Sequence, residues 1–240
     1  MKSWDNKPQT GFSLIELMVV VLLLSIVVGA IFTQINRAQV RYRVEDQRLD
    51  LTQQDRDFVD QFTRDLHQAG YPSPTQFGGR LDLSSKLTAV GIWSISPTDL
   101  KLEADVDGTG VVREIVYHYD DGTDPKGGGS ACPCLRRSSS PKVDGLPWNQ
   151  ADPVYYTQVQ NIIAAAGQPI FQAYAADGSV LPISAGKTLG STAVTDPTYQ
   201  FLLNIKNVRI TFSTQAQGQD IDAHRSIQVT MTGMARLPNN

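Results

Sequence analysis

Cysteine is scarce in this chain. Only two of its 240 residues are cysteines, Cys132 and Cys134, and a single proline separates them. Two cysteines cannot form a disulfide-rich scaffold, so the fold must rest on a hydrophobic core. An excess of basic charge is also missing, because 21 basic residues face 24 acidic ones, for a net charge of −3. Nucleic-acid binding usually requires a basic stripe, and this balance gives no case for it.

Recognisable catalytic and metal-binding motifs are missing as well. None of the three histidines, His67, His118 and His224, has a neighbouring serine, cysteine or carboxylate pattern of a known catalytic kind. Two acidic clusters, residues 105–108 and 120–124, lack the full calcium-loop pattern, and β-turn chemistry explains their Asp-Gly pairs more simply. We therefore predict no enzymatic activity, no cofactor and no metal site.

One long apolar run is present near the N-terminus. Phe12 to Phe32 is apolar apart from Ser13, Glu16, Ser25 and Gly29. As a helix it spans about 31 Å, which is roughly one bilayer core. The run is too long for the apolar region of a secretory signal, and no signal-peptidase site follows it. We therefore expect a membrane anchor that the mature protein keeps.

Glu16 is the unusual residue of this anchor. A carboxylate inside a hydrocarbon-facing helix costs on the order of 2.5–3.5 kcal/mol, so a partner is expected to offset it. One interpretation is that Glu16 lies close enough to the membrane interface to reach water. The other is that Glu16 pairs with a positive charge, and the small residue Gly11 just before Phe12 favours this second interpretation.

The sequence G-F-S-L-I-E-L at residues 11–17 resembles the class III signal of type IV pilins and type II secretion pseudopilins. The resemblance implies that a prepilin peptidase removes a leader of residues 1–11 by cutting between Gly11 and Phe12. It also implies N-methylation of the new Phe12 amine. Glu16 is then expected to neutralise the Phe12 amine of a neighbouring subunit during assembly, since two buried opposite charges cost less together than apart.

Four arginines lie just beyond the anchor, at positions 37, 41, 43 and 48, against two lysines before it. A count of positive charges alone would put the C-terminal body in the cytoplasm. The signal motif has no use in that orientation. We therefore predict a single-pass protein of the bacterial inner membrane with its body in the periplasm, which later reaches the pilus and the cell surface.

Residues 33–69 are predicted to continue the anchor as one helix, because no helix breaker occurs before Gly70-Tyr71-Pro72. An apolar stripe along residues 40–69 must be covered, either by a coiled-coil partner or, as we expect, by a sheet of the same chain. The helix end is similar to that of PilW-type minor pilins and J-type minor pseudopilins. The matching residues are Arg64, Asp65, Leu66, Ala69, Gly70 and Tyr71.

Residues 75–240 are predicted to form a β-rich head. Expected strands are 87–95, 99–104 and 111–119, a hairpin at Asp177-Gly178 between 170–174 and 180–183, and a final pair centred on 208–212 and 227–231. The final pair should be joined by a polar loop at 214–225 and should pack on the helix. The stretch 120–148, dense in Gly, Ser, Pro and charge, is predicted to be a long exposed loop.

Cys132 and Cys134 lie in that predicted loop, where three outcomes are open. In an oxidising periplasm they can close a local disulfide, which we favour, or pair between subunits. Metal binding with ligands from elsewhere is the third possibility. A redox catalyst would need two residues between the cysteines and a thioredoxin-like context, and both are missing.

The overall prediction is an α+β pilin fold with a long N-terminal helix and an antiparallel sheet on its distal half. The expected function is that of a structural minor pilin that helps to initiate a type IV pilus or acts at its tip. Expected partners are other major and minor pilins, the prepilin peptidase and the assembly platform of the inner membrane. The alternatives are a type II secretion minor pseudopilin and a membrane-anchored adhesin or binding protein.

Overall fold

A single helix dominates the N-terminal part of the computed structural model. The structure describes residues 11, 13–73, 82–123, 132–163, 168–193, 195–220 and 225–238. Helix α1 runs from Leu14 to Gln68, a length of 55 residues or about 82 Å. The predicted continuous helix is confirmed to within two residues at each end, because the sequence offers no breaker between its apolar first half and its amphipathic second half.

The end of α1 follows the predicted stop signal. Gly70 has φ +77°, a conformation that glycine adopts without steric cost and that ends helices. Its amide donates to the Glu103 carbonyl oxygen at 3.0 Å, and the Asp105 amide donates to the Tyr71 carbonyl oxygen at 2.9 Å. The chain therefore leaves the helix and is fixed at once to the sheet beneath it.

The rest of the described chain forms eleven strands, a second helix and a short 3₁₀ helix at Pro147–Asn149. Helix α2, Pro197–Leu203, is capped by the Asp196 side chain, which accepts from the amides of Thr198 and Tyr199. The strands are β1 Gly91–Ile95, β2 Asp99–Ala104, β3 Arg113–Asp121, β4 Pro133–Pro141, β5 Tyr156–Val159, β6 Ile162–Ile163, β7 Phe171–Tyr174, β8 Val180–Leu181, β9 Lys187–Thr188, β10 Asn207–Asp220 and β11 Arg225–Arg236.

These strands make two antiparallel sheets. The first has the order β5-β4-β3-β2-β1-β9, and the second has the order β11-β10-β7-β8, with β6 paired to β10 beside β7. Every strand pair is antiparallel. One long helix with antiparallel sheets confirms the predicted α+β class.

The distal half of α1 packs on both sheets. Phe58 contacts Tyr117 of the first sheet and Phe212 of the second edge-on, with ring centroids 5.9 and 5.7 Å apart. Phe62 lies between Tyr117 and Phe171, and Leu66 is also fully buried. Burying each of these side chains contributes about 1.5–3 kcal/mol. Sheets of the same chain therefore cover the stripe from Phe58 onward, so the coiled-coil alternative is wrong there.

Several strand predictions are confirmed. β2 has the predicted bounds, and the Asp177-Gly178 turn joins β7 to β8, with Gly178 at φ +83°. β10 and β11 pair as predicted and lie against α1. β1 is shorter than predicted, because regular pairing begins only at Gly91.

The predicted loop at 120–148 is wrong for most of its described length. Residues 133–141 form β4, which pairs with β3 over nine residues from Arg113–Pro141 to Asp121–Pro133. Cys134, Leu135 and Arg136 are buried there. Strand pairing and burial therefore outweigh the loop-like composition of the surrounding stretch. Residues 124–131 lie outside the described residues.

The predicted polar loop at 214–225 is also too long. β10 continues to Asp220 and β11 starts at Arg225, with an irregularity of register between Gln215 and Gln219. Cross-strand pairing with β11 holds these polar residues in a ladder that their composition does not predict. Residues 221–224 lie outside the described residues.

Candidate functional site

The helix start carries the residues predicted to act in processing and assembly. Gly11 is exposed, Ser13 is the extended residue before the helix, and Phe12 lies outside the described residues. The Ser13 carbonyl oxygen accepts from the amides of Glu16 and Leu17 at 3.0 and 3.2 Å. Glu16 is therefore in the first turn, where the helix dipole favours a negative charge.

Glu16 is exposed on the N-terminal part of α1, which the head does not contact. No described residue forms an ion pair with it. The surrounding side chains are aliphatic, and the head covers none of the apolar window. By length and composition, α1 is the one described helix that could cross a membrane. The carboxylate of Glu16 therefore lies in an apolar surface that no described part of the chain covers.

The sequence matches the family described as "Prokaryotic N-terminal methylation motif" over residues 6–32. The N-terminus is a type IV pilin-like signal. The motif indicates a type IV pilin-like or pseudopilin protein that a prepilin peptidase processes and that its apolar helix anchors in the membrane. It implies a structural protein that associates with other pilins. No curated protein and no solved structure matches the chain.

Asp65 joins the distal helix of this pilin-like chain to its first sheet. Its Oδ2 accepts from the Tyr117 hydroxyl at 2.6 Å and from Arg137 Nε and Nη2 at 2.8 and 2.7 Å. Its Oδ1 accepts from Gln61 Nε2 at 2.7 Å. Burial raises the pKa of Tyr117 well above its usual value, and the nearby negative charge of Asp65 adds to this, so the hydroxyl stays a donor.

Asp55 makes the matching contact with the second sheet. Its buried Oδ2 accepts from Thr214 Oγ1 on β10 at 2.6 Å, while burial raises the pKa of Asp55. Asp55 and Asp65 thus attach one helix to both sheets. No local signal identifies these partners, because they are distant in the chain.

Buried charges also line the side of the first sheet that faces away from α1. Lys142 Nζ lies 2.8 Å from Glu103 Oε2, and Arg136 Nη2 lies 2.9 Å from Asp120 Oδ2. Burial raises the pKa of Glu114 to about 7. The first pair joins Lys142, just after β4, to β2, and the second pair joins β4 to β3.

The acidic clusters serve turns in the described chain. Asp105 accepts from the amides of Thr109 and Gly110, and Asp107 accepts from Thr109. Asp121 accepts from the Thr123 hydroxyl and from the Thr123 amide, and these hydrogen bonds lower the pKa of Asp121. Hydrogen bonds to amides are the ordinary use of aspartate in such turns.

Two of the three histidines are described. His67 is exposed in the last turn of α1. His118 Nδ1 lies 2.7 Å from Asp99 Oδ1, a pair that sequence reasoning missed because the β2–β3 register brings the two residues opposite each other. His224 lies outside the described residues.

The two cysteines lie at the start of β4. Their sulfur atoms are at bonding distance, 2.05 Å apart, and Arg136 Nη2 is 3.9 Å from Cys132 Sγ. Cys134 is fully buried opposite Asp120. The pair therefore forms a local disulfide at the start of β4.

Proposed function

We propose that this chain is a structural minor pilin of PilW type, incorporated into a type IV pilus to aid its initiation or to act at its tip. The observation that carries the proposal is the methylation motif on an uncovered apolar helix with Glu16 in its first turn. The buried Asp65 and Leu66 and the helix-ending Gly70 support the PilW-type likeness, because these three residues of that motif have structural roles.

The proposed division of the chain follows from this role. Residues 1–11 are a cleaved leader, 12–32 the membrane and filament-core helix, 33–69 the distal spine, and 75–240 the head. Cleavage falls between Gly11 and Phe12, Phe12 is N-methylated, and Glu16 pairs with the Phe12 amine of a neighbouring subunit. The head faces an oxidising periplasm, where Cys132 and Cys134 form their local disulfide.

The partners follow from the same mechanism. The prepilin peptidase cuts the leader, the assembly platform of the inner membrane extracts the helix, and other pilins receive it. A minor pseudopilin of type II secretion is the second candidate, because the methylation motif is common to both classes. Neighbouring genes distinguish them: retraction and alignment genes favour the pilus, and secretion genes favour the pseudopilin.

Replacing Glu16 with alanine tests the proposed assembly role. The variant should stay in the membrane, because the apolar run becomes longer, but its amount in sheared filaments should fall by at least about two orders of magnitude. Leaving one member of a buried ion pair without its partner costs about 3–5 kcal/mol. The measurement is quantitative blotting of membrane and filament fractions.

Glu45→Ala is the matched control, since Glu45 is an exposed carboxylate on the same helix beyond the anchor. It should enter filaments normally. Normal incorporation of Glu16→Ala would remove the role given to Glu16.

A further inference from the structure

Strand β11 is the edge of the second sheet. It pairs with β10 from Asn207–Arg236 to Asp220–Arg225, and no described strand pairs with its other side. In an antiparallel strand, alternate residues direct their N–H and C=O groups away from the paired neighbour. A row of backbone donors and acceptors along 12 residues therefore faces outward.

This edge lacks the features that usually prevent strand addition. Residues 226–235, SIQVTMTGMA, contain no charge and no proline. The other edge strands of the two sheets are short: β5 has four residues, and β8 and β9 have two each. Long, uncharged edges without proline are the ones that pair with other chains.

The core beneath β11 is also incomplete. On β10, the inward-facing Val208, Ile210 and Phe212 are at most 2% exposed. On β11, Ile227, Val229 and Met231 share that face, since Phe212 pairs with Met231, but they are only half-buried. One more strand beside β11 would cover them and complete the layer under α1.

We propose that β11 is a docking site for an extended strand of another protein, which pairs by its backbone and buries aliphatic side chains at alternate positions. In the sequence, positions 225 and 236 at the two ends of β11 are both arginine, so the fitting strand is uncharged at its centre and acidic at its ends. A second copy of this chain fits less well. In-register antiparallel pairing of two β11 strands would place position 225 of one opposite position 236 of the other, and like charges at opposite positions destabilise a strand pair.

The test uses the full chain in detergent and a fluorescent peptide as long as β11, with glutamate at both ends and alternating threonine and valine between. We expect binding with a Kd below about 1 mM. We also expect slower hydrogen exchange at alternate amides of β11, because only the outward-facing amides gain partners. A peptide with proline at every second position should not bind. Lysine in place of the terminal glutamates should weaken binding.

Val229→Lys and Gln228→Lys are matched variants on adjacent residues of β11. Val229 is half-buried on the face toward α1, so the side chains of an added strand on that face would enclose a lysine there, and binding should weaken about tenfold or more. Gln228 is exposed on the opposite face, so its lysine variant should change affinity less than about twofold. Equal thermal stability of the two variants confirms that both fold.

Absence of peptide binding by the unmodified chain overturns the proposal. Binding that leaves β11 amides unprotected, or that Val229→Lys does not weaken, places the peptide elsewhere and overturns it too. The assay needs neither cleavage nor filament assembly. Failure of the pilin function and failure of this docking site are therefore distinguishable.

Discussion

Replacing Asp65 with alanine should lower the free energy of unfolding of the head by about 3–5 kcal/mol. Three donors from the first sheet converge on Asp65 Oδ2, two of them from the guanidinium of Arg137. Without the carboxylate, that partly buried cation and the buried Tyr117 hydroxyl lose their shared acceptor. The cost of leaving them unpaired is much larger than the worth of an exposed ion pair. Urea unfolding of the full chain in detergent, followed by tryptophan fluorescence, measures the loss.

The control and a double variant locate the effect. Asp57→Ala removes an exposed carboxylate from the same helix and should cost less than about 0.5 kcal/mol. Adding Arg137→Gln to Asp65→Ala should cost less than the sum of the single changes, because the two residues interact. If Asp65→Ala destabilises no more than Asp57→Ala, the helix is not held by this contact.

Replacing Gly233 with alanine should destabilise the contact between α1 and β11 by about 1–3 kcal/mol. A Cβ atom at this position would lie 2.5 Å from Val59 Cγ1, which is far inside contact distance. Valine in a helix has essentially one side-chain rotamer, so Val59 cannot turn away. The backbone of the strand or the helix must move instead. The same unfolding experiment detects the change.

A compensating substitution tests the steric explanation directly. Val59→Ala removes the methyl group that a Cβ at position 233 would meet. In a Val59→Ala background, Gly233→Ala should therefore lower the free energy of unfolding much less than it does in the unmodified chain. Gly190→Ala is the control, since a Cβ there meets no atom within 4 Å. An equal loss from Gly233→Ala in the Val59→Ala background would show that crowding is not the cause.

Sequence patterns determine the local part of the fold well. The apolar run, the absence of breakers and the Gly70 stop predict α1, and the Asp-Gly turn predicts the β7–β8 hairpin. These signals lie within a few residues of the structure they specify. The final strand pair is also visible, because Val208, Ile210 and Phe212 alternate with polar residues.

Local sequence patterns do not predict the contacts that attach α1 to the two sheets. Asp65 meets Tyr117 and Arg137, which are 52 and 72 residues away, and Asp55 meets Thr214, 159 residues away. β4 is missed for a related reason. Its Gly-, Ser- and Pro-rich surroundings are typical of loops, and the pairing with β3 and β5 and the burial of Arg136 against Asp120 make it a strand.

The candidate assembly site comprises Gly11, Phe12 and Glu16. The family match covers the motif as a whole, whereas the individual roles of Gly11, Phe12 and Glu16 stay predictions. A single chain cannot contain the partner of Glu16 if that partner belongs to a neighbouring subunit.

Mass spectrometry of the N-terminus tests the central claim most directly. The full chain is expressed with and without a prepilin peptidase, and the membrane-bound protein is analysed. With the peptidase, the chain should begin at Phe12 and carry one added methyl group on its amine. Without the peptidase, residues 1–11 should remain. Protein that keeps Met1 in the membrane while the peptidase is active would contradict the account.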